Sequence, residues 1–255
     1  MNALRPILSD ILLVWSFFTR IPAPPFRTGR KIGQALWALP LVGIVIAGAQ
    51  ILMSLLVALG IARFESAYTP LLIGFALTVV PLILTGALHW DGLADLFDGL
   101  GVGKDRRQGV MRDPRLGTFG ALALLSAFTA QILLYAILFD NLDSPDFSLS
   151  LCLTAMLSRQ TLACVWAAMP WKGAESQTVK GQPRILLTLI IWAALLGGGI
   201  GAGLLSFPLG LLFPFLMGAW ALCLAQWLPT ASGDGLGATQ VLSETALLLL
   251  LILSL

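Results

Sequence analysis

The sequence predicts an all-α, polytopic integral membrane bundle of about seven transmembrane helices, preceded by a short helix that is interfacial or re-entrant. Three observations carry this expectation. Of the 255 residues, 58% are hydrophobic and only 11% are charged, with a mean hydropathy of +0.90; a soluble domain typically carries about 25% charged residues. Apolar runs recur close to the roughly 20 residues that a helix needs to cross a bilayer core. The loops between them alternate between rich and poor in Lys and Arg, as successive crossings require. No polar stretch is long enough for a soluble core, so residues 1–255 read as one membrane domain.

The elements follow in order. "PILSDILLVWSFFT", 6–19, is apolar but carries Asp10 and is too short to cross easily, which predicts the interfacial or re-entrant helix. Arg20 and Pro22 follow it, with no cleavable signal pattern. Spans are expected at about 34–62, 69–88, 118–139, 147–169, 185–206 and 209–228, with a shorter one at 239–254. The glycines of "GGGIGAG", 197–203, lie inside an apolar run and predict close helix packing rather than a phosphate loop. Cys152, Cys164 and Cys223 lie in apolar runs without a C-x-x-C pairing, which predicts core filling.

Loop charge gives sidedness. Arg20, Arg27, Arg30 and Lys31 precede the first span, and only Arg63 follows it. The next loop holds Lys104, Arg106, Arg107, Arg112 and Arg115; "DNLDSPD" holds no base; Lys172, Lys180 and Arg184 come next; residues 206–208 are uncharged. The N-terminus is therefore expected inside and the C-terminus outside, with loops 89–117 and 229–238 both cytoplasmic. The net charge of +2 comes with no basic stripe on a soluble face, which argues against a nucleic-acid partner.

One loop concentrates chemistry. "ALHWDGLADLFDGLGVGKDRRQGVMRDPRLGTFG", 87–120, holds five of the thirteen acids, five of the fifteen Lys/Arg and the one histidine, His89. Asp91, Asp95 and Asp98 stand at i, i+4 and i+7, within roughly a 60° arc of one helix face. Three carboxylates so placed repel one another unless protons or a cation neutralise them. Their hard oxygens suit Mg²⁺, which also takes oxygens from substrate phosphates. Gly92, Gly99, Gly101 and Gly103 are expected to break the helix after Asp98 and admit a bulky ligand. Lys104, Arg106 and Arg107 read as topogenic charge, whereas Arg112 and Arg115, flanking Asp113, suit phosphate oxygens. Acids for a metal and arginines for phosphates at a membrane surface point to phospho-group transfer.

Other polar residues stand out against apolar surroundings. Asp234 lies between glycines as a helix cap or a further metal ligand. Gln240 and Glu244 fall one turn apart inside the last span and are expected to face protein or a polar cavity, and Arg159 lies inside the fourth apolar run. Thr19 and Arg20 end the first apolar run.

"FFTRIPAP", "HWDGLADLFDG", "MRDPRLGTFG", "SRQ" at 158–160 and "SGDGLGATQVLSE" occur in this order over nearly the whole chain. In these blocks the chain resembles the cobalamin synthases, or adenosylcobinamide-GDP ribazoletransferases. The resemblance implies a multi-pass enzyme of the bacterial inner membrane. Such an enzyme joins adenosylcobinamide-GDP to α-ribazole or its 5′-phosphate, requires Mg²⁺, and releases GMP and adenosylcobalamin or its phosphate. An oligomer is compatible with it. The family's acidic motif falls on His89, Asp91, Asp95 and Asp98, its basic continuation on Arg112, Asp113 and Arg115, and its late motif on Gly233 and Asp234. Gln240 stands where some relatives carry Glu, and Trp90 and Phe97 also depart from the usual pattern.

The roles expected on this basis are specific. Asp91, Asp95 and Asp98 hold Mg²⁺, with Asp98 as the general base, and Asp234 completes the metal site or orients the second substrate. Arg112 and Arg115 stabilise the transferred group, with His89 as a catalytic hydrogen-bond donor. Thr19, Arg20, Asp113, Arg159 and Glu244 contact substrate. Two rivals are weaker. A CDP-alcohol phosphotransferase shares "DGLA" at 91–94, Gly109 and Asp113, but Asp95 replaces its Arg and Gly117 its last Asp. A transporter using Arg159 and Glu244 would spread its charges through the spans rather than gather them on one face.

Overall fold

The computed structural model describes residues 4–26, 28–61, 67–169, 185–228 and 232–255. Within them lie helices α1 (Leu4–Phe18), α2 (Ile32–Ala35, continued by a tight turn through Leu36–Ala38), α3 (Leu39–Ile61), α4 (Thr69–Thr85), α5 (Leu88–Leu100), α6 (Lys104–Val110), α7 (Thr118–Asn141), α8 (Ser144–Ala168), α9 (Ile185–Gly201), α10 (Phe207–Trp227) and α11 (Gly233–Ile252).

Among the described residues, five segments are each long and apolar enough to cross a membrane: Ile32–Gly60, Thr118–Asn141, Ser144–Ala168, Phe207–Trp227 and Gly233–Leu253. Helices α4 and α5, which meet at 94°, make a sixth if counted as one bent span. The remaining apolar helix, α9, has 17 residues, about 26 Å at 1.5 Å per residue. Against the seven crossings expected, the described residues contain five or six candidate spans plus this shorter helix. The run expected at 69–88 does not continue straight because Gly86 (φ 64°) and Ala87 (φ 59°) both adopt left-handed backbone. Their N–H groups fold back to Ile83 O and Leu82 O, which closes α4. The last helix starts earlier than expected, at Gly233. The Ser232 side chain accepts the Gly235 N–H at 3.1 Å, and that cap carries the polar "GDGLGAT" into the helix.

Helices α3, α4, α7, α11 and α8 pack in sequence around a closed ring, with α9 and α10 outside it. Small residues allow close approach: a side chain at Gly43 would strike the α8 backbone at Ala155, and one at Gly74 the α7 backbone at Ile132. Of the 197–203 glycines, only Gly199 is packed in this way, against Leu153; Gly197, Gly198 and Gly201 have open space beside them. Outward leucines such as Leu59, Leu122 and Leu222 suit a lipid surround.

Polar groups fill the ring's interior. Glu244 on α11 accepts the Tyr135 hydroxyl of α7 at Oε1 (2.8 Å) and the Gln240 side-chain amide at Oε2. Gln50 of α3 donates to Tyr135 Oη at 3.2 Å and to Leu77 O of α4 at 2.9 Å. Arg159 of α8 is 2% exposed, donates to Ala155 O at 2.8 Å and sits 4.0 Å from Glu244. The expectation that Gln240 and Glu244 face protein holds.

Helix α1 is held by a contact that loop charge counting does not reveal. Asp10 is buried, paired with Arg30 through Nε and, at 2.9 Å, through Nη2, and it accepts the Trp37 indole N–H at 2.9 Å. Arg30 is therefore a clamp between α1 and the start of the first span as well as a basic loop residue.

The described parts of two predicted basic-rich loops, around Arg20 and at 104–115, meet at one end of the bundle. There α4 and α8 finish and α7 and α11 begin, and α5, turned by 94°, lies across them. Arg27, Arg63, Lys172, Lys180 and Arg184 lie outside the described residues. Because Arg30 is partly exposed and Asp10 is not, Arg30→Met strands a buried carboxylate and should cost about 3 kcal/mol. Asp10→Asn leaves a cation that can reach water and should cost less; thermal unfolding in detergent measures the asymmetry.

Candidate active site

Helix α5 is laid across the bundle end by two close approaches. A side chain at Gly92 would meet the Asp234 backbone at 2.8 Å, and one at Gly237 would meet His89 O at 2.9 Å. These reciprocal glycines let α5 and the first turns of α11 touch backbone to backbone, which brings Asp91 and Asp234 to a common cavity. The turn before α5 is fixed from outside. Arg20 donates its backbone N–H to Leu84 O at 2.7 Å, and its side chain lies over Gly86, whose left-handed backbone favours glycine. The left-handed Ala87 costs about 1–2 kcal/mol, a strain held at the site's hinge.

The three acids of α5 do not share one task. Asp98 is buried, and both its oxygens accept backbone N–H groups at the start of α7, from Gly117 and Gly120, each at 2.7 Å. It caps a neighbouring helix, where a carboxylate also meets the positive end of the dipole. Asp91 is exposed and Asp95 half-buried, and both line a cleft of about 490 Å³. The cleft has an apolar floor including Trp90 and Phe128 and a rim formed by Pro114 and Arg115. Burial first, then the charges of Asp91 and Asp98, raise the Asp95 carboxyl from 3.8 to about 6.

A second cavity of about 310 Å³ lies on the other side of Asp91, which lines both. Phe17, Phe18, Trp166, His89 and Asp234 also line it. His89 is buried and stacked on Phe18 at 5.8 Å between centroids. Burial first, and then the charge of Arg159, depress its imidazole to about 3, so it is neutral near pH 7.

Several expected residues are placed elsewhere. Thr19 is buried, with its hydroxyl donating to Trp15 O at 2.8 Å and accepting from Ile21 N, so it closes α1. Asp113 forms a forked pair with the exposed Arg115, with contacts of 2.6 and 2.9 Å, and those hydrogen bonds lower its carboxyl to about 2. Arg112 and Arg20 are exposed, and Arg159 and Glu244 belong to the ring interior. Helix α5 runs on to Leu100 rather than breaking after Asp98. Gly99 and Gly101 admit Met111, Arg107 and Phe119 of the same fold rather than a ligand. Arg107, expected to be topogenic, is buried and donates to Gly99 O (3.0 Å) and to Trp227 O (2.8 Å), at the carbonyl end of α10.

Among the described residues no three His, Cys, Asp or Glu side chains converge as a closed metal cage. The donor set fits Mg²⁺ in another way: that ion is commonly held by one or two carboxylates with waters and substrate phosphates. Asp91 and Asp95, one helical turn apart on the cleft wall, offer those two carboxylates beside a guanidinium.

Two substitutions test this geometry. Gly92→Ala should force α5 off Asp234 and cut turnover strongly with the fold retained. Asp98→Asn replaces one acceptor oxygen by a donor and strands an N–H of α7, lowering stability by about 1–3 kcal/mol. Paired unfolding and turnover measurements separate the two effects.

A family model described as cobalamin-5-phosphate synthase matches residues 10–252. The adenosylcobinamide-GDP ribazoletransferase of Sinorhizobium medicae (strain WSM419) is 34% identical over 97% of each chain. Its namesake from Mesorhizobium japonicum is 34% identical over 96% of this chain and 93% of its own. The one from Vibrio parahaemolyticus serotype O3:K6 is 33% identical over 98% and 94%. No solved structure matches the chain. With a family match that covers almost its whole length, the chain belongs to the cobalamin-5-phosphate synthase family.

Proposed function

We propose that the protein is an adenosylcobinamide-GDP ribazoletransferase acting at the cytoplasmic face of a bacterial inner membrane. It joins adenosylcobinamide-GDP to α-ribazole or its 5′-phosphate and releases GMP with adenosylcobalamin or its 5′-phosphate. The observation that carries this reading is the convergence of Asp91, Asp95 and Arg115 on one open cleft across the bundle end. The relatives' names supply the substrates, and the basic residues described at that end, Arg20 and those of 104–115, favour the cytoplasmic side.

In this reading the diphosphate lies along the cleft rim. A ribose hydroxyl of the second substrate attacks the phosphorus next to the corrinoid arm. A new P–O bond forms to the ribose, the P–O bond to the GMP unit breaks, and GMP departs with the bridging oxygen. Asp91 and Asp95 would hold Mg²⁺, whose charge neutralises the diphosphate oxygens when bound. Arg115, released from Asp113 by the stronger anion, and Arg112 stabilise charge on the transferred and departing phosphates. Asp234, across Asp91 from the cleft, orients the hydroxyl and takes its proton. Asp98 is a positioning residue, since its oxygens are held by α7; the base role expected for it passes to Asp234. Arg20, exposed beside the α4–α5 turn, contacts phosphate, and His89 stays neutral as a wall of the site. Thr19, Arg159 and Glu244 support the scaffold.

Asp91→Asn and Asp95→Asn should abolish GMP release from adenosylcobinamide-GDP, and Asp234→Asn should slow it roughly 10²- to 10⁴-fold. Normal corrinoid product from either of the first two would sink the scheme.

The raised carboxyl of Asp95 also sets a pH dependence. The metal-free fold favours its neutral form, so this group stabilises the fold below 3.8 and loses that contribution as pH rises through about 6. The Mg²⁺-induced rise in Tm should accordingly appear as pH increases through about 6 and shrink below it. Asp95→Asn should flatten both trends; a Mg²⁺ response that is unchanged across this range would place the metal elsewhere.

A further inference from the structure

The two cavities on either side of Asp91 differ in chemistry. The larger cleft carries Arg115 at its rim and suits an anion. The smaller one has no Lys or Arg among its described lining residues. Its walls are aromatic: Phe17 and Phe18, set edge to face at 4.9 Å, and Trp166 of α8. Its polar groups are His89, Asp91 and Asp234, gathered where α5 crosses the start of α11. At about 310 Å³ it has room for a fused bicyclic base and its sugar but not for a corrin.

We propose that this aromatic cavity is the subsite for the base and ribose of the ribazole substrate, with Phe17, Phe18 and Trp166 setting which lower base is accepted. The inference rests on the transferase reading and deepens it. A diphosphate would meet two carboxylates and no Lys or Arg among the described lining residues, whereas a neutral, planar benzimidazole riboside gains stacking surface. A ribose in this cavity faces Asp91 and Asp234, and Asp91 also lines the diphosphate cleft, so one carboxylate separates nucleophile from phosphorus. A 5′-phosphate, where the nucleoside carries one, projects from the mouth away from the acids.

The test is a pair of KM values for each enzyme. Phe17 is 53% exposed, so Phe17→Leu leaves the fold intact, while Trp166→Leu removes a buried wall. Each should raise the KM for α-ribazole roughly tenfold, the loss of one stacking partner, with the KM for adenosylcobinamide-GDP unchanged. Indole fluorescence should be quenched by α-ribazole in the wild-type protein and lose that component in Trp166→Phe, with no turnover required. A rise confined to the adenosylcobinamide-GDP KM would give the cavity to the other substrate, and unchanged or equally raised constants would overturn the subsite. Quenching by α-ribazole without any GMP release from wild type would overturn the reaction while leaving the binding site standing.

Discussion

Glu244 and the groups that satisfy it are the constraint on which the rest of the bundle depends. A carboxylate inside a membrane bundle is costly unless hydrogen-bonded and paired. Here Tyr135 and Gln240 donate to it, and Arg159 supplies the countercharge at 4.0 Å. Gln50 extends the network to α3 and to a carbonyl of α4. Each of the five ring helices therefore contributes a polar group to one interior. Apolar packing against lipid does little to fix how a helix is rotated, since lipid tails are as apolar as leucine. A hydrogen-bonded charge does fix it, because any other rotation leaves a donor or acceptor unpaired. Arg159 Nε still lacks a partner, so the network is not fully closed.

That rotation is inherited by the site. Helix α11 carries Glu244 inside the ring and Asp234 at its first turn, so setting one sets the other. Gly237 and Gly92 then allow α5 to lie directly on α11. From the other side, Asp98 ties α5 to the first turn of α7, and Arg107 ties the α5–α6 region to the end of α10. The α5 acids that no helix has taken, Asp91 and Asp95, face the cleft, with Asp234 lining the cavity on the other side of Asp91. An acidic motif that looks like a metal cradle is divided between holding the scaffold and facing the cleft.

The parts of this arrangement differ in how legible they are from sequence. Hydropathy locates the long spans well because each is a continuous apolar run. It misplaces the start of α11, where glycines and Asp234 lower the local value while Ser232 caps a helix anyway. It also runs the 69–88 segment straight through, because nothing in the composition marks Ala87 as left-handed. Arg107 and Arg30 show the same gap for charge. Counting basic residues per loop treats them as equivalent to Arg106, yet one reaches a helix-end carbonyl and the other a buried carboxylate. Asp98 is the sharpest case: helical spacing correctly puts it near the arc of Asp91 and Asp95, but not beside the N–H groups it meets.

The sequence by itself determined the class of molecule, the blocks that reveal the family and the helix that carries the acids. These are properties of composition, period and local order, and they survive without knowledge of any neighbour. Only the tertiary structure decided which carboxylates face the cleft, that Asp91 borders two cavities of opposite character, and that Arg159 and Glu244 lie inside the ring. The physical reason is that a residue's chemistry depends on the partner packed against it. In this fold those partners are distant in sequence: Gly117 stands 19 residues from Asp98, Tyr135 109 from Glu244 and Trp227 120 from Arg107.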